Sequence, residues 1–150
     1  SMIRTLLLIV VICPYCLRCL EFVDRNESYN TPDISWLSKD SWGQNPISGD
    51  LVSRDHPNIT GKVVFMHVEG GDWKNLEEVY KKGAKALVLF NTFFLVEGFL
   101  NYIKLNGIVA NIPSHLPSVE ISHQDSKKIK QLLRIVNGTY PSHRVTLFSD

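Results

Sequence analysis

An α/β fold, a small mixed β-sheet with a βαβ unit and two flanking helices, is predicted by three features of the sequence. Two apolar runs of strand length, "KVVFMHV" and "KALVLFN", enclose a stretch with helical periodicity. A proline-led third run, "PSVEIS", leads directly into a second helical stretch that carries its own cap. Strand, helix and strand in such short order call for a crossover and parallel pairing. At 150 residues the chain amounts to one globular unit, able to remove roughly two-thirds of its unfolded surface from water.

The amino terminus reads as a leader over residues 1–19. Arg4 supplies a positive start, and residues 5–13 an apolar core too short to span a bilayer. Cys16 and Cys19 are small residues near a cleavage point expected between Cys16 and Leu20. All three cysteines, Cys13, Cys16 and Cys19, fall in this stretch, so the mature chain is cysteine-free. The same letters carry an alternative, because a β-branched run followed by Cys-Pro-Tyr-Cys suits a glutaredoxin-like thiol oxidoreductase using Cys13 and Cys16. That reading also needs a proline strand facing the sulfurs and a following Gly-Gly turn. "HLPSVEIS" has the proline and strand but runs straight into a helix, and little precedes the dithiol strand.

Residues 20–48 read as an irregular amino-terminal arm with room for one short strand, anchored by Trp36 and Trp42 among polar residues and Pro32 and Pro46. From residue 49 to 150 the periodicity describes a domain. Lys62 to Val68 is a buried-strand run, broken by "EGG". Asp72 stands at the N-cap position of a helix whose inner face is Trp73, Leu76, Val79 and Tyr80, with Gly83 as its C′ residue. The second strand, Lys85 to Asn91, is followed by a long excursion to Leu116. Beyond the third strand, Ser122 and Asp125 form a capping pair, and Ile129, Leu132, Leu133 and Val136 line a helix ended by Asn137-Gly138. "HRVTLF" closes the chain, with Val145 and Leu147 alternating as in an edge strand.

The ordered set "GKVVFMHVEGGDW", "KKGAKALVLFN", "LPSVEISHQDSKKIKQLL" and "RVTLF" resembles the protease-associated domain family, from about residue 49 to 148. The resemblance implies a non-catalytic module of the secretory pathway or extracellular space. It would stand alone or form the lumenal part of a peptidase, sorting receptor or RING ubiquitin ligase. The family's usual Arg-Gly-x-Cys-x-Phe loop falls on Val68, Glu69, Gly70, Gly71, Asp72 and Trp73, so its Arg and Cys are both absent here.

Charge and motif spacing narrow the chemistry. Sixteen basic residues against fifteen acidic ones give a formal charge of +1, which makes no case for nucleic acid or an anionic membrane. His56, His67, His115, His123 and His143 lack zinc-ligand spacing, and no Gly-x-Ser-x-Gly elbow exists. No cofactor, metal or catalytic group is expected, and the family resemblance implies a protein or peptide as partner. Gly70-Gly71 before a helix could cradle an anion, but Glu69 and Asp72 repel one. The basic run Lys127, Lys128, Lys130 and Arg134 reads as a solvated helix face. Candidate partner-binding residues are Gly70, Gly71, Asp72 and Trp73, with Phe94, Phe99 and Tyr102 from the apolar excursion of residues 92–113. Three sequons, at Asn26, Asn58 and Asn137, are candidate glycosylation sites in a secreted chain.

Overall fold

The computed structural model describes residues 19–31, 46–68, 73–90 and 117–148. Seven strands form one mixed sheet: β1 (Cys19–Phe22), β2 (Glu27–Asn30), β3 (Ile47–Ser53), β4 (Val63–His67), β5 (Ala86–Phe90), β6 (Ser118–Glu120) and β7 (His143–Phe148). Their spatial order is β2-β1-β7-β3-β4-β5-β6. Strands β3 to β6 run parallel, while β7, β1 and β2 add antiparallel pairs beyond β3. Helices α1 (Trp73–Lys81) and α2 (His123–Leu132) flank the sheet. The α/β class and the βαβ unit of β4, α1 and β5 are as the sequence predicts.

Alternation along the parallel strands builds two cores. Val63, Phe65, Ala86, Val88 and Phe90 face one way, together with Leu20, Phe22, Val145 and Leu147, and meet Ile129 from α2 and Leu133 from its C-cap. Val64, Met66, Leu87 and Leu89 face the other way and meet Leu76 and Val79 from α1, with Tyr80 packed alongside. A strand covered on both faces must be apolar at every position, which is why "VVFM" and "ALVLF" read as unbroken runs.

The helix ends follow their sequence signals. Ser122 Oγ accepts the Asp125 backbone N–H at 3.1 Å, capping α2. Gly83, at φ +88°, closes α1: its N–H donates to the Tyr80 carbonyl at 2.9 Å and the Ala84 N–H to the Val79 carbonyl at 3.4 Å, a Schellman pattern. The proposed cap Asp72 lies outside the described residues. Helix α2 stops before Asn137-Gly138. That pair forms a two-residue turn between Val136 and Thr139, both of its residues at positive φ, and Val136 is exposed rather than on the helix's inner face.

Two further expectations are corrected. Residues 20–48 do not begin as an irregular arm: β1 and β2 form a hairpin whose Leu20 and Phe22 are fully buried. Strand β1 starts at Cys19, itself buried, so a leader cut after Cys19 or Leu20 would remove paired strand residues, whereas a cut upstream spares them. Strand β7 is not an edge strand but lies between β1 and β3. Its alternation reports a one-sided core: Val145 and Leu147 are buried, while Arg144 is exposed and Thr146 half-buried on the polar face.

Three outcomes follow from this packing. Leu20→Ala should cost about 2–5 kcal/mol in chemical denaturation if the hairpin is part of the core, against no more than about 0.5 kcal/mol for a loose arm. Gly83→Ala should cost about 1–2 kcal/mol from its left-handed backbone, because its Cβ would also stand 3.3 Å from Thr60 Cγ2. Gly138→Ala, at φ +72° in open space, should cost less. Tyr29 gives a pH signature. Burial, then the hydrogen bond its hydroxyl donates to Glu27 at 3.1 Å, pushes its phenol up from 10.0 to about 12. Because the folded state holds the proton more tightly, this stability is full below about pH 10 and lost as pH rises towards 12. Denaturation profiles of the chain and of Tyr29→Phe should converge above that window.

Candidate functional site

A cleft of about 410 Å³ opens at the carboxyl ends of the parallel strands. Its walls come from five elements that are spread along the sequence. Ser53, Arg54 and Asp55 end β3 and begin the following turn; Phe65, Met66 and His67 end β4; Phe90 ends β5. Asn75 from the first turn of α1 and Lys130 from α2 complete it. This is the edge at which open α/β sheets present ligand sites, since strand ends are where polar side chains escape two-sided burial.

The apolar part of the lining is an aromatic group. Phe65 and Phe90 stack with ring centroids 4.5 Å apart and 20° between planes, and the His67 imidazole sits 5.1 Å from Phe90. The Lys130 ammonium lies over the Phe90 ring at 4.5 Å from its centroid. Across the cleft, the Arg54 guanidinium donates to Asn75 Oδ1 at 3.0 Å and stands 3.9 Å from a Glu78 carboxylate oxygen. Glu78 is itself engaged by Lys82 at 3.1 Å. The Lys82 hydrogen bond and charge, and more weakly Arg54, hold the Glu78 carboxyl below its ordinary range. Arg54 is therefore oriented from behind while more than a third of its side chain stays exposed.

The candidates named from sequence fall into three groups. Asn26, Asn58 and Asn137 are all exposed, Asn26 and Asn137 in turns and Asn58 in the irregular stretch before β4. Asn58 Oδ1 accepts the Thr60 N–H at 3.2 Å, and Asn26 and Asn137 adopt positive φ. Gly70, Gly71, Asp72, Phe94, Phe99 and Tyr102 lie outside the described residues, as do Cys13 and Cys16. Trp73 is the first residue of α1. The connection of residues 69–72 leaves the carboxyl end of β4, and that of residues 91–116 leaves the carboxyl end of β5, so both depart from the edge that holds the cleft. The histidines go to separate places. His56 Nδ1 accepts the Asn58 N–H at 3.0 Å, and His143 lies between Asp24 at 2.9 Å and the Leu132 carbonyl at 3.2 Å. Among the described residues no three His, Cys, Asp or Glu side chains come together as a metal site.

Arg54, Asn75, Phe90 and Lys130 were not singled out as a site by sequence reading. Lys130 is exposed, as the basic helix face predicts, yet it also rims the cleft. The available signal was positional: the last residue of each parallel strand is where function concentrates. It does not reach Arg54, because Gly49 breaks the strand pattern of β3 in the sequence.

No protein-family model matches the chain. No curated protein matches it significantly either. Among solved structures it is similar to a zinc aminopeptidase from Bacillus subtilis, with a TM-score of 0.52 and 12% identity, over 87% of this chain and 29% of that one. A likeness at this identity concerns the fold, and the chain spans less than a third of the length of the enzyme it matches.

Proposed function

We propose that this chain is a non-catalytic protein-interaction module of the secretory pathway or extracellular space, of the protease-associated type, which captures a protein or peptide at the carboxyl edge of its parallel strands. One observation carries the reading. The cleft opens at the edge where β3, β4 and β5 end, and in the chain the ends of β4 and β5 are followed by the two stretches with candidate partner-binding residues, Gly70 to Trp73 and residues 92–113. The three sequon asparagines are exposed and lie outside the strands and helices, which suits glycan attachment. The fold likeness to a chain from a peptidase agrees with a domain type found appended to peptidases. Among the described residues no helix is long and apolar enough to cross a membrane.

The glutaredoxin-like alternative has less behind it. A thiol activated at a helix start needs a helix running on from the dithiol, but strand β1 begins at Cys19, three residues after Cys16.

The full chain secreted from eukaryotic cells provides the test. Its amino terminus should lie after Cys16 and no later than Cys19, and each of Asn58→Gln and Asn137→Gln should remove one glycan-sized mass increment. Used as bait, Arg54→Glu and the pair Phe94→Ser with Phe99→Ser should each lose the partner that the unaltered chain retains. Arg134→Glu, on the solvated face of the carboxyl-terminal segment, should keep it. The thermal midpoint of Arg54→Glu should stay within a few degrees, since exposed substitutions shift stability by about 0.5 kcal/mol at most. Retention of the partner by both altered baits would defeat the reading.

A further inference from the structure

We infer that the ligand of the carboxyl-edge cleft is an acidic peptide segment, a glutamate or aspartate carboxylate held between Lys130 and Arg54 with a neighbouring apolar side chain against the Phe65 and Phe90 pair. The inference rests on the reading of this cleft as the capture site and adds the chemistry of what is captured.

Three observations carry it. Lys130 makes no ion pair among the described residues, and its resting contact is the Phe90 ring at 4.5 Å. An exposed cation on an aromatic face is weakly held, so a carboxylate can draw it away at small cost. Arg54 presents the complementary case. Asn75 Oδ1 fixes one terminal nitrogen at 3.0 Å, and the Glu78 oxygen is distant at 3.9 Å. Of five guanidinium N–H donors, several remain for a planar, bidentate partner, the geometry that a carboxylate offers. The third observation is scale. The two cations line one cleft of about 410 Å³ on a chain of formal charge +1. A confined pair of cations suits one or two carboxylates, whereas nucleic acid or an anionic membrane requires an extended basic surface. Asp55 also lines the cleft, and its negative charge opposes an acidic ligand. It should therefore limit affinity.

The probe is a fluorescein-labelled peptide with two glutamates flanking a phenylalanine, followed by anisotropy on the full chain, beside a control in which lysines replace the glutamates. Lys130→Gln and Arg54→Gln should each weaken the acidic peptide by about two- to fivefold, the range of single exposed ion pairs. Asp55→Asn should tighten it, and Lys127→Gln, outside the cleft, should leave it unchanged. Binding should also fall as salt is raised. Equal binding of the acidic and lysine peptides, or the same affinity in Lys130→Gln as in the unaltered chain, would overturn the assignment. If Arg54→Glu still lost the captured partner in that case, the capture site would stand and only its ligand class would be wrong. Loss of peptide binding in all variants alike, Lys127→Gln included, would count against the cleft.

Discussion

Burial of β4 and β5 on both faces is the constraint from which the remaining architecture follows. With α2 over one side and α1 over the other, neither strand has a position open to water along its middle. Val63 to Met66 and Ala86 to Phe90 are accordingly all buried. The crossover through α1 is what makes their pairing parallel, and parallel strands place all their carboxyl ends at one edge. Polar chemistry excluded from the strand centres reappears there, beginning with half-buried His67.

The antiparallel half obeys a different rule. Strands β1 and β7 give Leu20, Phe22, Val145 and Leu147 to the core shared with α2, while the opposite face carries the polar Arg144 and Thr146 beside buried Cys19. Ser48 and Thr146 hydroxyls meet at 3.0 Å across β3 and β7, and Arg144 stands 3.6 Å from Asp50. Among the described residues, helix cover thus passes from both faces of the sheet to one at β3. Such a transition is compatible with β3 holding a parallel neighbour on one side and an antiparallel neighbour on the other.

What could be read from sequence divides along this boundary. Elements buried on two faces announced themselves: "KVVFMHV", "KALVLFN", the Gly83 helix end and the Ser122 cap all depend on local signals of three to seven residues. Strand β3 hid because Gly49 interrupts it, a residue that strands usually avoid. Its cause is tertiary: a Cβ there would come within 2.9 Å of Val63 Cγ2 on the neighbouring strand. The hairpin of β1 and β2 hid for another reason. Each strand has only four residues, and its apolar members look like the tail of a leader until β7, more than a hundred residues on, supplies the partner. The cleft was illegible for the same physical cause, since Arg54, His67, Asn75, Phe90 and Lys130 meet only after the whole sheet has closed.

That dependence makes register the determinant of the site. Pairing of His67 with Phe90 and of Phe65 with Val88 puts both rings and the imidazole on one face of the sheet. Because side chains alternate, a slip of one residue in β4 would exchange Phe65 and His67 for Val64 and Met66 on that face. It would also drive a phenylalanine into the core beneath α1. Both cores oppose the slip, so the same burial that forces apolar strands also fixes which residues reach the edge. Lys130 shows the coupling at its rim. Ile129 is fully buried in the core under α2 while the next residue places its ammonium over Phe90, so helix packing sets the position of the cation and leaves its charge exposed. The cleft therefore needs no dedicated scaffold of its own, because its geometry is a by-product of packing that the fold requires in any case.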